Sequence, residues 1–180
     1  VKRKVLVTGM AGRIGTVIRE RLSDRYQLSS LDREPVQGVT SHVADIADAK
    51  AIRPAFDGQD TVAHLAADPV PNAPWESVLS SNIVGTYNVL EASRDAGVRR
   101  VVFASTNHVV GYYPMKDEPW RSIYEERLDG LPRPIPTITG EMMRPDGYYA
   151  VSKHFGESIG SYYHDEFGIS FIALRIGGVN

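Results

Sequence analysis

Cysteine is absent from the 180 residues, which excludes disulfides, thiolate zinc sites and cysteine nucleophiles. No apolar run approaches the ~18 residues that a membrane-spanning helix needs, and the first residues lack the pattern of a signal peptide. The expected compartment is therefore the cytoplasm, with no membrane partner. No basic block is present and the formal net charge is −2, so no nucleic-acid footprint is indicated. Internal repeats and low-complexity tracts are missing too, and no metal site is expected. What remains is ordinary for a globular protein, 42% hydrophobic and 23% charged, and long enough for one domain with a real core.

Strand-like runs recur at Val5–Thr8, Gln27–Leu31, Thr40–Val43, Thr61–Leu65, Arg100–Ala104 and Ser170–Ile176. Helical patterns separate most of them, at Ile14–Leu22, Ala47–Phe56, Trp75–Ala96 and Tyr148–Phe167. This alternation predicts an α/β fold, a doubly wound parallel sheet with helices on both faces. The apolar run Val101-Val-Phe-Ala104 reads as a strand covered on both sides. The stretch from 114 to 147 departs from the pattern, with prolines at 114, 119, 132, 134, 136 and 145. So long a loop in a compact domain is either functional or an insertion with short elements of its own. After the last strand, Gly177-Gly-Val-Asn180 starts a loop with no further element, so a single truncated domain over 1–180 is expected.

Between the first strand and helix, the chain reads Thr8-Gly-Met-Ala-Gly-Arg-Ile-Gly15. Strand, glycine turn and helix are the context of a dinucleotide fingerprint. The spacing is G-x-x-G-x-x-G, with the same mechanics: Gly9 for the tight turn, Gly12 for close approach of a pyrophosphate, Gly15 for helix–strand packing. The free N–H groups and partial positive charge of the helix N-terminus then face the phosphates. Asp32, at the end of the second strand and 20 residues past Gly12, fits the acidic residue that binds the adenosine ribose diol. A carboxylate there repels a 2′-phosphate and favours NAD over NADP, although Arg33 beside it could receive that phosphate.

Tyr149-Ala-Val-Ser-Lys153 can do proton-transfer chemistry. At spacing i, i+4 on a helix the two end side chains share a face, with Cβ atoms about 5–6 Å apart. A tyrosine with a pKa near ~10 is a poor base, and a neighbouring ammonium is expected to lower it toward working pH. Taken alone, a Tyr–Lys pair at this spacing is usually a surface pair.

The set Thr8-Gly-x-x-Gly-x-x-Gly15, Asp32, Asp45-Ile46, His64-Leu-Ala-Ala67, Asn82-x-x-Gly-Thr86 and Tyr149-x-x-x-Lys153, in this order over nearly the whole chain, resembles the extended short-chain dehydrogenase/reductases. The resemblance implies a Rossmann fold whose small C-terminal substrate region is mostly absent from this chain. It implies Tyr149 as the catalytic acid/base and Lys153 as its electrostatic partner, which also holds the nicotinamide ribose. Thr106 matches the family's hydroxyl residue five positions before a glycine, here Gly111. Gly9, Ala11, Gly12, Arg13 and Ile14 would meet the pyrophosphate, Asp32 the ribose, and Asp45 and Ile46 the adenine. Leu65, Ala66 and Ala67 would line the cofactor, with Asn82 stabilising the site. A homodimer through the helices 75–96 and 148–167 is also implied, with Val89, Tyr162 or Tyr163 facing outward.

Within that family, Phe103-Ala-Ser-Thr-Asn-His-Val-Val-Gly-Tyr-Tyr-Pro114 is a finer marker. Most epimerases and dehydratases have a tyrosine at the position of Val110. Asn107-His108, together with Arg144-Pro-Asp-Gly-Tyr-Tyr-Ala-Val-Ser-Lys153, is similar to uronate dehydrogenases and NAD-dependent hexose-phosphate dehydrogenases, which oxidise a cyclic sugar at C1 to a lactone. Asn107 and His108 would then contact sugar hydroxyls. Uronate dehydrogenases hold the substrate carboxylate with serines where this chain has Pro69 and Gly178, and neither can donate a side-chain hydrogen bond. A nucleotide-sugar epimerase or dehydratase with tightly held NAD is the alternative enzyme. A redox-sensing dinucleotide-binding protein without turnover is the non-enzymatic one.

Overall fold

A computed structural model describes residues 2–138 and 143–178; parts of the 114–147 loop and the last two residues of the Gly177–Asn180 segment lie outside the described residues. Six strands form one parallel sheet: β1 (Lys4–Thr8), β2 (Gln27–Asp32), β3 (Thr40–Val43), β4 (Thr61–His64), β5 (Arg100–Thr106) and β6 (Ser170–Ile176). Their order is β3-β2-β1-β4-β5-β6, that of a Rossmann fold, with the winding direction reversing between β1 and β4. Crossovers leave in opposite directions from that point, so the loops after β1 and β4 part and open a crevice at the carboxyl ends of the strands.

Side-chain alternation explains the layers. Leu6 points into one cluster with Ile52, Phe56, Val62, Val89, Leu90 and Val101, while the next residue, Val7, points into a second with Met10, Leu28 and Val36. Helix α1 (Arg13–Leu22) covers the second cluster through Ile18. Helix α2 (Ala49–Ile52), which tightens into a 3₁₀ turn at Arg53–Phe56, covers the first. Strand β5 is less enclosed than its composition suggests: Val101 and Phe103 are buried, but Val102 and Ala104 on the other face are half-buried. Next to it, β6 leaves Ile172 and Leu174 exposed.

The long helix expected at 75–96 runs without a gap from Trp75 to Asp95 but changes its winding along the way. It runs as α3 (Trp75–Ser77), a π-helical stretch at Val78–Val84 and α4 (Gly85–Asp95). Widening of this kind re-aims side chains within a helix and is frequent at functional sites. The 114–147 loop does carry short elements, with α5 (Tyr112–Lys116) at its entrance and α6 (Trp120–Tyr124) within it.

Helix α7 (Tyr148–Phe167) has the expected bounds. Its internal glycines cost about 1 kcal/mol each against alanine, and packing explains them. A Cβ at Gly156 would overlap the ring of Phe103, and one at Gly160 would overlap the ring of Phe171. The two glycines let the middle of α7 lie close on the aromatic side chains of β5 and β6. Val89 and Tyr163 do not face outward as expected: both are buried, because their sides of α4 and α7 face each other and the sheet. Tyr162 is exposed.

Candidate active site

The crevice is a cleft of about 960 Å³. One end is the glycine turn. Gly9 has φ +73°, and a Cβ there would meet the Ala66 backbone nitrogen at 2.7 Å; a Cβ at Gly15 would overlap the Met10 backbone. Glycine is therefore required at both positions, by the left-handed backbone at the first and by close packing at the second. Helix α1 begins after Gly12 with no side-chain cap and no acidic residue in its first turn, so its N–H groups and partial positive charge are left for an anion. Gly9, Gly12, Arg13, Ile14, Asp32, Asp45, Ile46, Leu65, Ala66 and Ala67 all line the cleft. Ala11 and Asn82 do not line it. The Ala11 N–H donates to Asp32 Oδ2 at 2.8 Å, orienting that carboxylate.

This widened helix frames the cleft. Asn82, in the π-helical stretch, accepts from Asp68 N at 2.7 Å and donates to Asp68 O and Ser152 Oγ. Ser152 Oγ in turn donates to the Tyr149 carbonyl. Asn88 Nδ2 donates to the Ile46 and Ala47 carbonyls, fixing the loop after β3. Between them, Thr86 Oγ1 lies 3.1 Å from His64 Nε2. His64 Nδ1 is 2.8 Å from Thr8 Oγ1, an oxygen that also accepts from Leu65 N and Ala66 N. With both lone pairs so used, the Thr8 hydroxyl must donate to Nδ1, and His64 carries its proton on Nε2, toward Thr86.

At the other end of the cleft, Thr106, Asn107, His108, Tyr149 and Lys153 come together. Strand β5 delivers Ser105 and Thr106 in opposite directions. Ser105 Oγ is committed to Glu157 Oε1 at 2.5 Å, and Glu157 also receives the Arg175 guanidinium. Thr106 Oγ1 accepts from His108 N at 3.3 Å, capping the turn after β5, and lies 3.4 Å from Asn107 Oδ1; its hydroxyl is also within reach of Tyr149. Burial raises the Tyr149 pKa, and the Thr106 hydrogen bond offsets part of the rise. The expected lowering by Lys153 is not what governs this phenol, because the desolvation cost of a half-buried phenolate is the larger effect. Lys153 Nζ lies 5.7 Å from the centre of the Tyr149 ring and 4.9 Å from that of Phe103. Its own pKa is lowered to about 8 by burial.

Pro69, Pro71, Ser77, Ser81 and Gly178 also line the cleft. Pro69 and Gly178 thus lie where they could meet a substrate, and neither offers a side-chain donor. Asp146, against His108, stands in the sequence only as part of the Arg144-Pro-Asp-Gly-Tyr-Tyr149 stretch, with no role of its own. Among the described residues no group of three or more His, Cys, Asp or Glu could hold a metal, and no helix is long and apolar enough to cross a membrane.

The chain matches the NAD dependent epimerase/dehydratase family over residues 5–179 and belongs to it. NAD is the cofactor of that family, and the glycine cradle and uncapped helix fit it. The chain is 43% identical to the NAD-dependent glucose-6-phosphate dehydrogenase of Haloferax volcanii, over 97% of this chain and 68% of that protein. To the L-arabinose 1-dehydrogenase (NAD(P)(+)) of the same organism it is 42% identical, over 97% of this chain and 66% of that one. A uronate dehydrogenase variant from Agrobacterium tumefaciens, solved with NAD, superposes with a TM-score of 0.75 at 37% identity, covering 95% of this chain and 59% of the other. The chain therefore spans between about three fifths and two thirds of the length of these relatives.

Proposed function

We propose that this chain is the NAD-binding and catalytic part of a dehydrogenase that oxidises a cyclic sugar, a hexose or hexose phosphate, at C1. The observation that carries the reading is the convergence of Thr106, Tyr149 and Lys153 beside Asn107 and His108 at one end of the cleft. NAD, when bound, supplies the hydride acceptor. Tyr149 Oη takes the proton of the anomeric hydroxyl, and Thr106 hydrogen-bonds the same oxygen and orients it. The Lys153 ammonium stabilises the phenolate and, with Tyr149, holds the nicotinamide ribose. Asp32 takes the adenosine ribose, and Asp45 and Ile46 the adenine. Arg13, Ile14 and the glycine turn take the pyrophosphate, alongside Leu65, Ala66 and Ala67. Asn107 and His108 grip the sugar.

The test is NADH production by the complete polypeptide on glucose 6-phosphate, glucose, glucuronate and galacturonate, each with NAD and with NADP. Glucose 6-phosphate or glucose with NAD is expected to give the highest kcat/KM, because Pro69 and Gly178 offer a carboxylate no hydroxyl and Asp32 disfavours a 2′-phosphate. A clear uronate preference would sink the substrate assignment. Cofactor that is never released as NADH while sugars interconvert would establish an epimerase instead.

A homodimer is the proposed assembly. Helices α3–α4 and α7 expose Tyr87, Tyr148, Val151 and Tyr162, and the π-helical stretch between α3 and α4 exposes Leu79; a monomer would leave this apolar area in water. Sedimentation at micromolar concentration should give twice the monomer mass, and a monomer there would count against the interface.

A further inference from the structure

His108 Nδ1 and Asp146 Oδ2 are 2.7 Å apart, and the Asp146 side chain is only 11% exposed. A carboxylate can only accept, so Nδ1 carries the proton, and the neutral form of the ring then has Nε2 as its acceptor. That nitrogen is on the opposite edge of a ring that lines the cleft, with its centre 6.4 Å from that of Tyr149.

The backbone around this pair is arranged to seat the carboxylate. Arg144 N donates to Val109 O at 2.8 Å and Tyr112 N donates to Arg144 O at 3.1 Å, which docks the end of the 114–147 excursion onto the segment carrying His108. The Arg144 side chain adds an ion pair to Asp117 and lies over the Tyr113 ring. Gly111 has an ordinary φ of −62°, so its backbone does not demand glycine. A Cβ there would instead overlap the Asp146 carboxylate. Gly111 is needed for space, and the space is filled by Asp146.

We propose that Asp146 is a positioning residue that fixes His108 as a hydrogen-bond acceptor for one sugar hydroxyl, so that the site selects substrates bearing that hydroxyl. A sugar lacking it would leave a desolvated acceptor unpaired, and a phosphate or carboxylate oxygen in its place would face a lone pair. The anionic group of a sugar phosphate therefore binds away from His108. The tautomer half of this proposal stands on geometry alone, and the substrate half rests on the dehydrogenase reading above.

The test uses Asp146→Asn and Gly111→Ala. Asparagine keeps the size of Asp146 but can also donate, and the methyl group added by Gly111→Ala displaces the flexible carboxylate without disturbing the backbone. Nitrogen-15 NMR of histidine-labelled protein, assigned with His108→Ala, should show the Nδ1–H tautomer at His108 in the wild type and its loss in both variants. An Nε2–H tautomer in the wild type overturns the proposal whatever the activity. On glucose 6-phosphate, both variants should raise KM about tenfold or more with NAD affinity unchanged. In a His108→Ala background Asp146→Asn should add nothing. On a panel of mono-deoxy hexoses the wild type should discriminate against one member, and Asp146→Asn should discriminate less. An unchanged KM, or a full effect of Asp146→Asn without His108, overturns the positioning role and leaves the dehydrogenase reading intact. A wild type that makes no NADH on any sugar overturns that reading and the substrate half with it.

Discussion

Tyr149→Phe is expected to lower NAD-dependent sugar oxidation by about 10²–10⁴-fold, the usual contribution of a general acid–base group. The phenyl ring left behind keeps its edge-on contact with His108, and the turn beneath it is held by main-chain and Ser152 contacts that the hydroxyl does not touch. The fold should therefore persist and NAD affinity should lose at most the one hydrogen bond that the hydroxyl gives the nicotinamide ribose, so the larger loss falls on kcat and kcat/KM together. Because burial raises the Tyr149 pKa, and the phenolate is the form that accepts the proton, wild-type kcat for oxidation should climb with pH through the neutral range. The variant should lose that slope. Tyr148→Phe is the control: Tyr148 is 58% exposed, its ring packs on Trp75, and its replacement should leave turnover near the wild-type value. Near wild-type turnover in Tyr149→Phe would rule out the mechanism.

The layers and strand order of this fold could be read from periodicity because a parallel sheet imposes it: apolar runs for strands, a 3.6-residue stripe for helices, glycines where the chain must turn closely. All six strands fall within two residues of their expected ends. The π-helical widening within the 75–96 helix was not legible, since Val78–Val84 has no proline and no distinctive composition; within it Asn82 bonds Asp68 and Ser152. The expectation that Val89 and Tyr163 face outward failed for a related reason. Apolar residues on both sides of α4 and α7 give no single stripe, and packing alone decides which side is covered. At the site, Thr106, Tyr149 and Lys153 could be placed by motif and spacing. Asp146 could not, because its partner lies 38 residues earlier across an aperiodic loop. His64 lay in plain view within a motif, but only its two threonine partners show what it does.

Lowering the pH from 7 to 5 should destabilise this protein by roughly 2 kcal/mol through His64 alone. His64 is buried, with a pKa lowered from 6.5 to about 3, first by desolvation and then by the charge of Lys153. Between those two values the unfolded chain binds a proton that the folded chain does not, so stability is greatest above pH 6.5 and falls as the pH drops toward 3. The full loss over that window is on the order of 4–5 kcal/mol. Hydrogen bonding points the same way. A proton on Nδ1 would confront the Thr8 hydroxyl, whose oxygen is already occupied by the Leu65 and Ala66 N–H groups. Urea unfolding at pH 7 and pH 5 measures the effect, and His64→Asn, which cannot titrate, should flatten it. Carboxylates whose pKa is lowered in the fold, such as Glu157 held by Arg175 and Ser105 against its burial, lose their contribution mainly from the ordinary carboxylate range downward, so the step from pH 7 to pH 5 isolates His64. Because the folded chain keeps His64 neutral over this interval, the NAD affinity of the folded protein should not change through His64 between pH 7 and pH 5 in either the wild type or His64→Asn. If the two proteins lost equal stability between pH 7 and pH 5, the buried neutral histidine would not be the source of the acid sensitivity.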